Sequence, residues 1–224
     1  MARILFSDRV LAVGQTGSGK STFAAHVFSL MHVQRVMIDP KREWRLAGAV
    51  TVRSPAQLGQ ALERAPVIHY VPARATRVEW SEVYEVLFRH GGRQGRSLFV
   101  WTDEAYSVST ANWAPEDLLL IQTQGRALGI GHLVCTQRPR KIARELYTEA
   151  QHIVIFTPPL SVEDVKTIAD EIGLTREELS HRLLELPDFG FLWYDRRAKL
   201  LTTCPPLPAD LRKRAAATAR NLAG

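Results

Sequence analysis

The sequence is poor in metal-binding and covalent cross-linking chemistry. It has two cysteines in 224 residues, Cys135 and Cys204, and they lack metal-ligand spacing. Its seven histidines are scattered, with no paired Cys or His beside them, so a structural zinc site is not expected. So few cysteines give no disulfide framework, and a reduced, cytosolic setting fits. No apolar run is long enough to span a bilayer. The opening MARILFSDRV carries charges on both sides of a short apolar patch and has no cleavage signal, so no leader is expected. Internal repeats, low-complexity segments and linker-like composition shifts are also missing. The chain is therefore expected to form one domain over residues 1–224.

What is present is ordinary for a globular protein. Hydrophobic residues make up 46% and charged residues 23%, so a core of normal size needs no staples. The formal net charge of +6 leans toward a polyanionic partner, against the alternative of a basic protein that never meets nucleic acid.

Short apolar runs alternate with longer amphipathic ones. Strands are expected at Val10–Gly14, Gln34–Asp39, Val67–Val71, Ser97–Glu104, His132–Gln137 and His152–Phe156. Helices are expected from Lys20 to Met31, Pro115 to Leu128 and Ser161 to Ile172, the last with Ser161 as N-cap and Gly173 as its stop. FGFLWYD and KLLTTC read as a closing hairpin around Arg196 and Arg197. The strand runs are continuous rather than alternating, which is how buried parallel strands read. Strands interleaved with helices imply a three-layer α/β fold with a mostly parallel sheet.

The stretch VGQTGSGKST, Val13 to Thr22, matches G-x-x-x-x-G-K-[ST] and joins an expected strand to an expected helix, the context a phosphate-binding loop requires. Gly14, Gln15, Thr16, Gly17, Ser18, Gly19, Lys20, Ser21 and Thr22 are the candidate nucleotide-binding residues. Glycines let the backbone curl so that its N–H groups face the phosphates. Lys20 would reach the β- and γ-phosphates, and the Ser21 hydroxyl would ligate Mg²⁺.

A second element, LFVWTDEAY, ends a strand in two adjacent carboxylates. Asp103 would hold Mg²⁺ through its water shell, and Glu104 would orient or deprotonate a water aimed at the γ-phosphate. A Glu here favours a hydrolase over a kinase, which must keep water from that phosphate. There is no Asn-Lys-x-Asp guanine reader and no Leu-Ser-Gly-Gly-Gln signature.

A third element, GRALGIGHLVCTQRP, places Gln137 at a strand end, as a γ-phosphate sensor or a plain loop residue. Arg126 lies near the end of the preceding helix, either as dipole-friendly surface or as a finger inserted into a neighbouring subunit's site. A fourth, MIDPKREW, puts Asp39 where a plain turn is the favoured reading, over an acidic contact near the site.

Together the phosphate loop, DPKRE, WTDEA and GRALGIGHLVCTQRP resemble the FtsK–HerA superfamily of DNA-pumping ATPases. The resemblance covers roughly Val10 to Phe156 as a motor core, with residues 157–224 as a loosely matched extension. It implies a RecA-like P-loop NTPase fold with ATP and Mg²⁺ as ligands. Lys20 and Ser21 would bind phosphate and metal, Asp103 and Glu104 would form the Walker B pair, Gln137 would be the sensor and Arg126 the trans-acting finger. The chain looks most like the small genome-packaging ATPases of tailless, membrane-containing viruses, because the added domains of the larger relatives are not found. That implies a homo-oligomeric ring, a hexamer, moving double-stranded DNA in the host cytoplasm or at a capsid vertex, where vertex proteins are possible partners. One departure stands out: the family often has Gly where Arg42 follows Lys41.

DNA contact is expected at phosphates rather than bases. One candidate basic loop is QRPRKIAR, with Arg138, Arg140, Lys141 and Arg144; the other is FRHGGRQGRS, with Arg89, Arg93 and Arg96 on a glycine-rich tether. The C-terminal LPADLRKRAAATARNLAG reads as a basic helix packing on a neighbour or as a frayed tail. The rival functions are another translocase or secretion ATPase, a P-loop kinase, and an ATP-dependent assembly factor that ignores DNA.

Overall fold

The computed structural model describes residues 3–94, 96–157 and 161–221, without the side chains of 92–94, 220 and 221. Strand β1 (Arg9–Val13) runs into the glycine loop, and α1 (Lys20–Leu30) leaves it. There follow β2 (Gln34–Ile38), β3 (Trp44–Leu46), β4 (Val50–Val52), α2 (Pro55–Leu62), β5 (Val67–Tyr70) and α3 (Arg77–Gln94). The middle of the chain forms β6 (Leu98–Thr102), α4 (Glu116–Gln124), β7 (Ile130–Thr136), α5 (Glu145–Thr148) and β8 (His152–Phe156). The last third forms α6 (Val162–Ile172), α7 (Arg176–Leu184), β9 (Phe191–Asp195), β10 (Leu200–Cys204), α8 (Ala209–Thr218) and β11 (Ala219–Asn221).

Nine strands make one sheet in the order β10-β9-β8-β1-β7-β6-β2-β5-β4. It is parallel from β8 to β4, and β9 and β10 close it as an antiparallel hairpin. The expected α/β fold is thus observed. Strands β3 and β11 pair apart from it, antiparallel. Alternation along each strand divides the core between two faces. Val10 and Ala12 pack with α1 and with Ala215 of α8, whereas Leu11 and Val13 face the core that holds the buried residues of α2, α3, α4 and α6. That is three layers.

Ser161 caps α6 by accepting from the Asp164 N–H, and Gly173 stops it at φ 75°, as the sequence implied. The expected helix over 115–128 is shorter: α4 ends at Gln124, and turns over 125–129 lead into β7.

The basic, glycine-rich segment FRHGGRQGRS is largely not a loop. Residues Phe88–Gln94 are the end of α3, whose buried stripe Trp80, Val83, Tyr84 and Leu87 recurs at helical spacing. Gly91 serves packing here: a Cβ on it would lie 2.3 Å from Ile130 Cγ1. Arg89 is paired with Glu85 and Arg96 with Glu63, so neither hangs from a tether. The Arg93 side chain lies outside the described residues. The C-terminal segment is helical over residues 209–218, so there it is not a frayed tail. Its helix α8 packs on α1 of the same chain, and Leu222 to Gly224 lie outside the described residues.

Candidate functional site

Parallel strands place their C-terminal ends along one edge. The register sets Val13 beside Thr136 and Ile155, and Ile38 beside Thr102. The glycine loop, the Asp103–Glu104 pair and Gln137 therefore meet at that edge. A cavity of about 580 Å³ opens there, lined by residues 15–22, Asp103, Glu104 and Gln137, and also by Lys41, Glu43 and Trp44.

The loop is built as an anion cradle. Gly17 and Gly19 sit at φ 79° and 95°, left-handed values that glycine adopts without strain. Gly19 caps α1 without a side-chain hydrogen bond, and no acid lies in the first turn. The first amides of α1 thus point at the cavity without an intrahelical partner, at the positive end of the helix dipole. Gly14 is needed for close approach: a Cβ on it would lie 2.6 Å from Ser18 Oγ and 2.8 Å from Phe156 Cβ. Lys20 is the first helical residue, and it is buried with its charge bearing on Asp103.

Asp103 is 5% exposed. Its Oδ2 accepts from the Trp44 indole N–H at 2.8 Å, while Oδ1 is buried with no protein partner. Burial pushes the Asp103 carboxyl above the usual range. Lys20 and the indole N–H pull it back, but not fully. Burial of the charge is thus only partly offset, and Oδ1 is the oxygen left without a partner. Mg²⁺ takes one or two carboxylates, waters and phosphate oxygens. The orphaned Oδ1, with the Ser21 hydroxyl on the same cavity wall, fits such an ion.

Glu104 is buried and held at φ 72°, a strained value for a side chain that is not glycine. Its Oε2 pairs with Lys41 Nζ at 3.3 Å and its Oε1 accepts from Thr136 Oγ1 at 3.4 Å. These contacts aim the carboxylate along the cavity wall.

Lys41 and Trp44, both from DPKREW, are site residues that the sequence reading left without roles. What places them is Asp39, which is more than a plain turn residue. Fully buried, it accepts from the N–H groups of Glu43 (3.1 Å) and Trp44 (3.0 Å), and lies 3.2 Å from His69 Nε2. The folded-back loop delivers Lys41 to Glu104 and Trp44 to Asp103. Arg42 occupies φ 61° in this loop. That explains why glycine suits the position; Arg42 offsets the strain with a hydrogen bond to the Ala73 carbonyl at 2.8 Å. The only advance signal for Lys41 and Trp44 was the motif's proximity to a strand end.

Arg126 is not at this edge. It is exposed in the turn before β7, at the opposite end of a seven-residue strand from Gln137. That is a separation of about 20 Å along the strand. It cannot serve its own chain's cavity. The loop after β7 does lie at the cavity edge. There Arg138, Arg140, Lys141 and Arg144 are exposed, with Arg140 tied to Asp164 and Glu163, and Lys141 over the Tyr106 ring.

No protein-family model matches the sequence, and comparison with curated proteins finds no match. Solved structures do match. The genome packaging NTPase B204 of Sulfolobus turreted icosahedral virus 2, in complex with AMPPCP, aligns at TM-score 0.74 and 19% identity over 91% of this chain and 100% of its own. This chain has the B204 fold. The DNA-packaging ATPase B204 of Sulfolobus turreted icosahedral virus aligns at TM-score 0.70 and 19% identity, over 90% of this chain and 98% of its own. ATPases 2 and 3 of EssC from Geobacillus thermodenitrificans align at 0.54 and 14%, over 94% of this chain and 44% of theirs. Against B204 the likeness covers nearly the whole of both chains. Among the described residues, no helix is long and apolar enough to cross a membrane.

Proposed function

We propose that this chain is an ATPase motor that moves double-stranded DNA, packaging a viral genome as one subunit of a homo-oligomeric ring, a hexamer. Residues 1–224 act as one unit, with the core at 10–156. The observation that carries the hydrolysis reading is the single cavity that joins a phosphate loop, an orphaned Asp103 oxygen and a positioned Glu104. The end-to-end likeness to B204 supports packaging over the other translocases.

In this reading the amides of α1 and Lys20 hold the ATP phosphates. Mg²⁺, held through Ser21 and Asp103, would neutralise phosphate charge. Trp44 fixes the orientation of Asp103 by its indole N–H. Glu104, steadied by Lys41 and Thr136, orients the attacking water and accepts its proton. Gln137, with both donor and acceptor groups, contacts the γ-phosphate or that water. Arg126, remote from its own cavity and exposed, supplies the missing transition-state cation to the next subunit, which ties hydrolysis to the ring. Arg138, Lys141 and Arg144, beside the cavity edge, contact DNA phosphates, so that DNA binding and nucleotide state share one border. The setting is the host cytoplasm or the packaging vertex.

The test is the ATPase rate of the purified protein with and without double-stranded DNA, across a salt series. Stimulation that falls steeply with salt is expected. A rate indifferent to DNA overturns the motor reading and leaves a DNA-independent assembly or secretion ATPase. Lys20→Ala and Arg126→Ala are each expected to be inactive, whereas rings mixed from the two recover activity. No recovery in confirmed mixed rings removes Arg126 from the role.

A further inference from the structure

The cavity continues past the phosphate loop into a second region that the motifs do not explain. Its walls there are Phe189, Phe156, Phe191, Leu207 and one face of α8. Arg212, Ala215 and Ala216 share one face of α8, and Ala219 follows at its C-cap, where β11 begins. The three alanines leave space where larger side chains would fill it, and Arg212 is the cation of the stripe. Cys204 pairs with Phe191 across the hairpin, and Leu207 follows it closely, which puts the start of α8 at the aromatic end of the cavity.

Of the three phenylalanines, two are committed to packing. Phe156 and Phe191 are buried with centroids 5.1 Å apart, and Phe23 closes on both at 5.8 and 5.5 Å. Phe189 is different. It is 50% exposed and sits at φ 62°, where a bulky side chain is strained. Its ring stands over the start of α1, since a Cβ on Gly19 would lie 3.5 Å from Phe189 Cδ1. An exposed aromatic in a strained backbone at the rim of a cavity has a ring face free to meet a ligand.

We propose that Phe189 and Arg212 form the nucleoside end of the site. Phe189 offers its ring as a stacking face for a purine, and the planar Arg212 guanidinium closes the other side. This deepens the ATP reading and rests on it. Among the described residues at that end, Arg212 alone has a side chain with hydrogen-bonding groups, so the base is gripped by its face more than read at its edge. The site therefore takes purine nucleotides as a class, with ATP and GTP held alike. The β11–β3 pairing sets Asn221 opposite Trp44, so the segment that forms this wall is tied directly to the residue that holds Asp103.

The test is calorimetric titration of the full-length protein with ADP, GDP and pyrophosphate. The wild type is expected to bind ADP and GDP within about tenfold of each other. Phe189→Leu and Arg212→Ala should each weaken both nucleotides by about tenfold and leave pyrophosphate binding unchanged. Phe189→Trp, which keeps a stacking face, should bind as the wild type does. Thermal unfolding without nucleotide, unchanged in all three variants, separates the effect from misfolding. Unaltered ADP binding in the Leu and Ala variants overturns the proposal, as does a preference for ADP over GDP beyond about a hundredfold. Pyrophosphate binding without ADP binding removes the nucleoside pocket alone. Failure to bind either removes the ATP reading itself.

Discussion

Two buried aspartates at opposite edges of the same sheet behave in opposite ways. Asp8 lies just before β1 and is fully buried, and Asp103 lies just after β6 at 5% exposure. Asp8 is saturated: it accepts from the Leu5 N–H at 2.8 Å, pairs with Arg197 at 2.5 Å and lies 3.3 Å from His152 Nε2. Burial alone would raise its carboxyl, but the His152 contact, the Leu5 amide and Arg197 outweigh that and hold it below the usual range. Asp103 has one indole N–H and an orphaned oxygen, and burial wins. The difference separates a carboxylate whose oxygens are all partnered from one left with an unpartnered oxygen, as the proposed Mg²⁺ ligand would be. The partners decide which is which, since burial is common to both.

Substitutions at the two ends of the sheet should differ widely in their effects. The largest lies at the far edge. If Arg126 acts as proposed, in the transition state of a neighbour, Arg126→Ala should lower kcat by about a thousandfold while leaving ATP affinity intact. An equal loss of ATP binding would place it in its own cavity and overturn the separation of edges.

Next come the aspartates themselves. Asp8→Asn leaves Arg197 and His152 without their carboxylate and should cost about 3 kcal/mol of stability, read by chemical denaturation. Asp103→Asn should abolish hydrolysis yet raise the stability of the ligand-free protein by about 1 kcal/mol, since it removes an under-compensated buried charge. Loss of stability in both variants would make Asp103 a structural residue. Their pH dependence has opposite sign. Asp8's folded value lies below its unfolded 3.8, so its contribution is present above that pH and lost as pH falls further. Asp103's value lies above 3.8, so its cost is present at neutral pH and relieved as pH falls toward 3.8. In Asp8→Asn, acid unfolding should lose part of its steepness below about pH 4.

A smaller effect concerns orientation. Trp44→Phe keeps a ring against Trp101, now 4.9 Å between centroids, but removes the N–H on Asp103. The Mg²⁺ concentration for half-maximal ATPase activity should rise about tenfold, as expected for one hydrogen bond to a charged group. An unchanged Mg²⁺ requirement would show that the indole serves packing only. The smallest effect is Arg42→Gly, which relieves a positive φ but gives up the bond to the Ala73 carbonyl. Stability should change by less than about 1 kcal/mol, and a larger loss would mean that Arg42 organises the DPKREW loop.

Much of this was legible in the linear chain, wherever the signal was local. The phosphate loop is contiguous, and its glycines, lysine and serine stand at fixed spacing within one short stretch. The Asp103–Glu104 pair sits at a strand end that apolar patterning locates, and the α6 caps follow from Ser161 and Gly173. Patterning failed at α3, where Gly91 looks like a flexible tether until Ile130 is seen against it. It also had no means of assigning Lys41 and Trp44. Their roles depend on Asp39 folding the loop back across to residues 59 and 63 positions away in sequence.

A three-layer α/β chain with a phosphate loop and a strand-end acid pair can be read from the linear chain alone. These are properties of short stretches whose physics is complete within a few residues. Which aspartate is satisfied and which is open, the distance of Arg126 from its own cavity, and the place of the C-terminal helix on the cavity wall emerge only once the chain is folded. Each of those depends on strand order and register. Those follow from packing the whole core, and no single segment contains them.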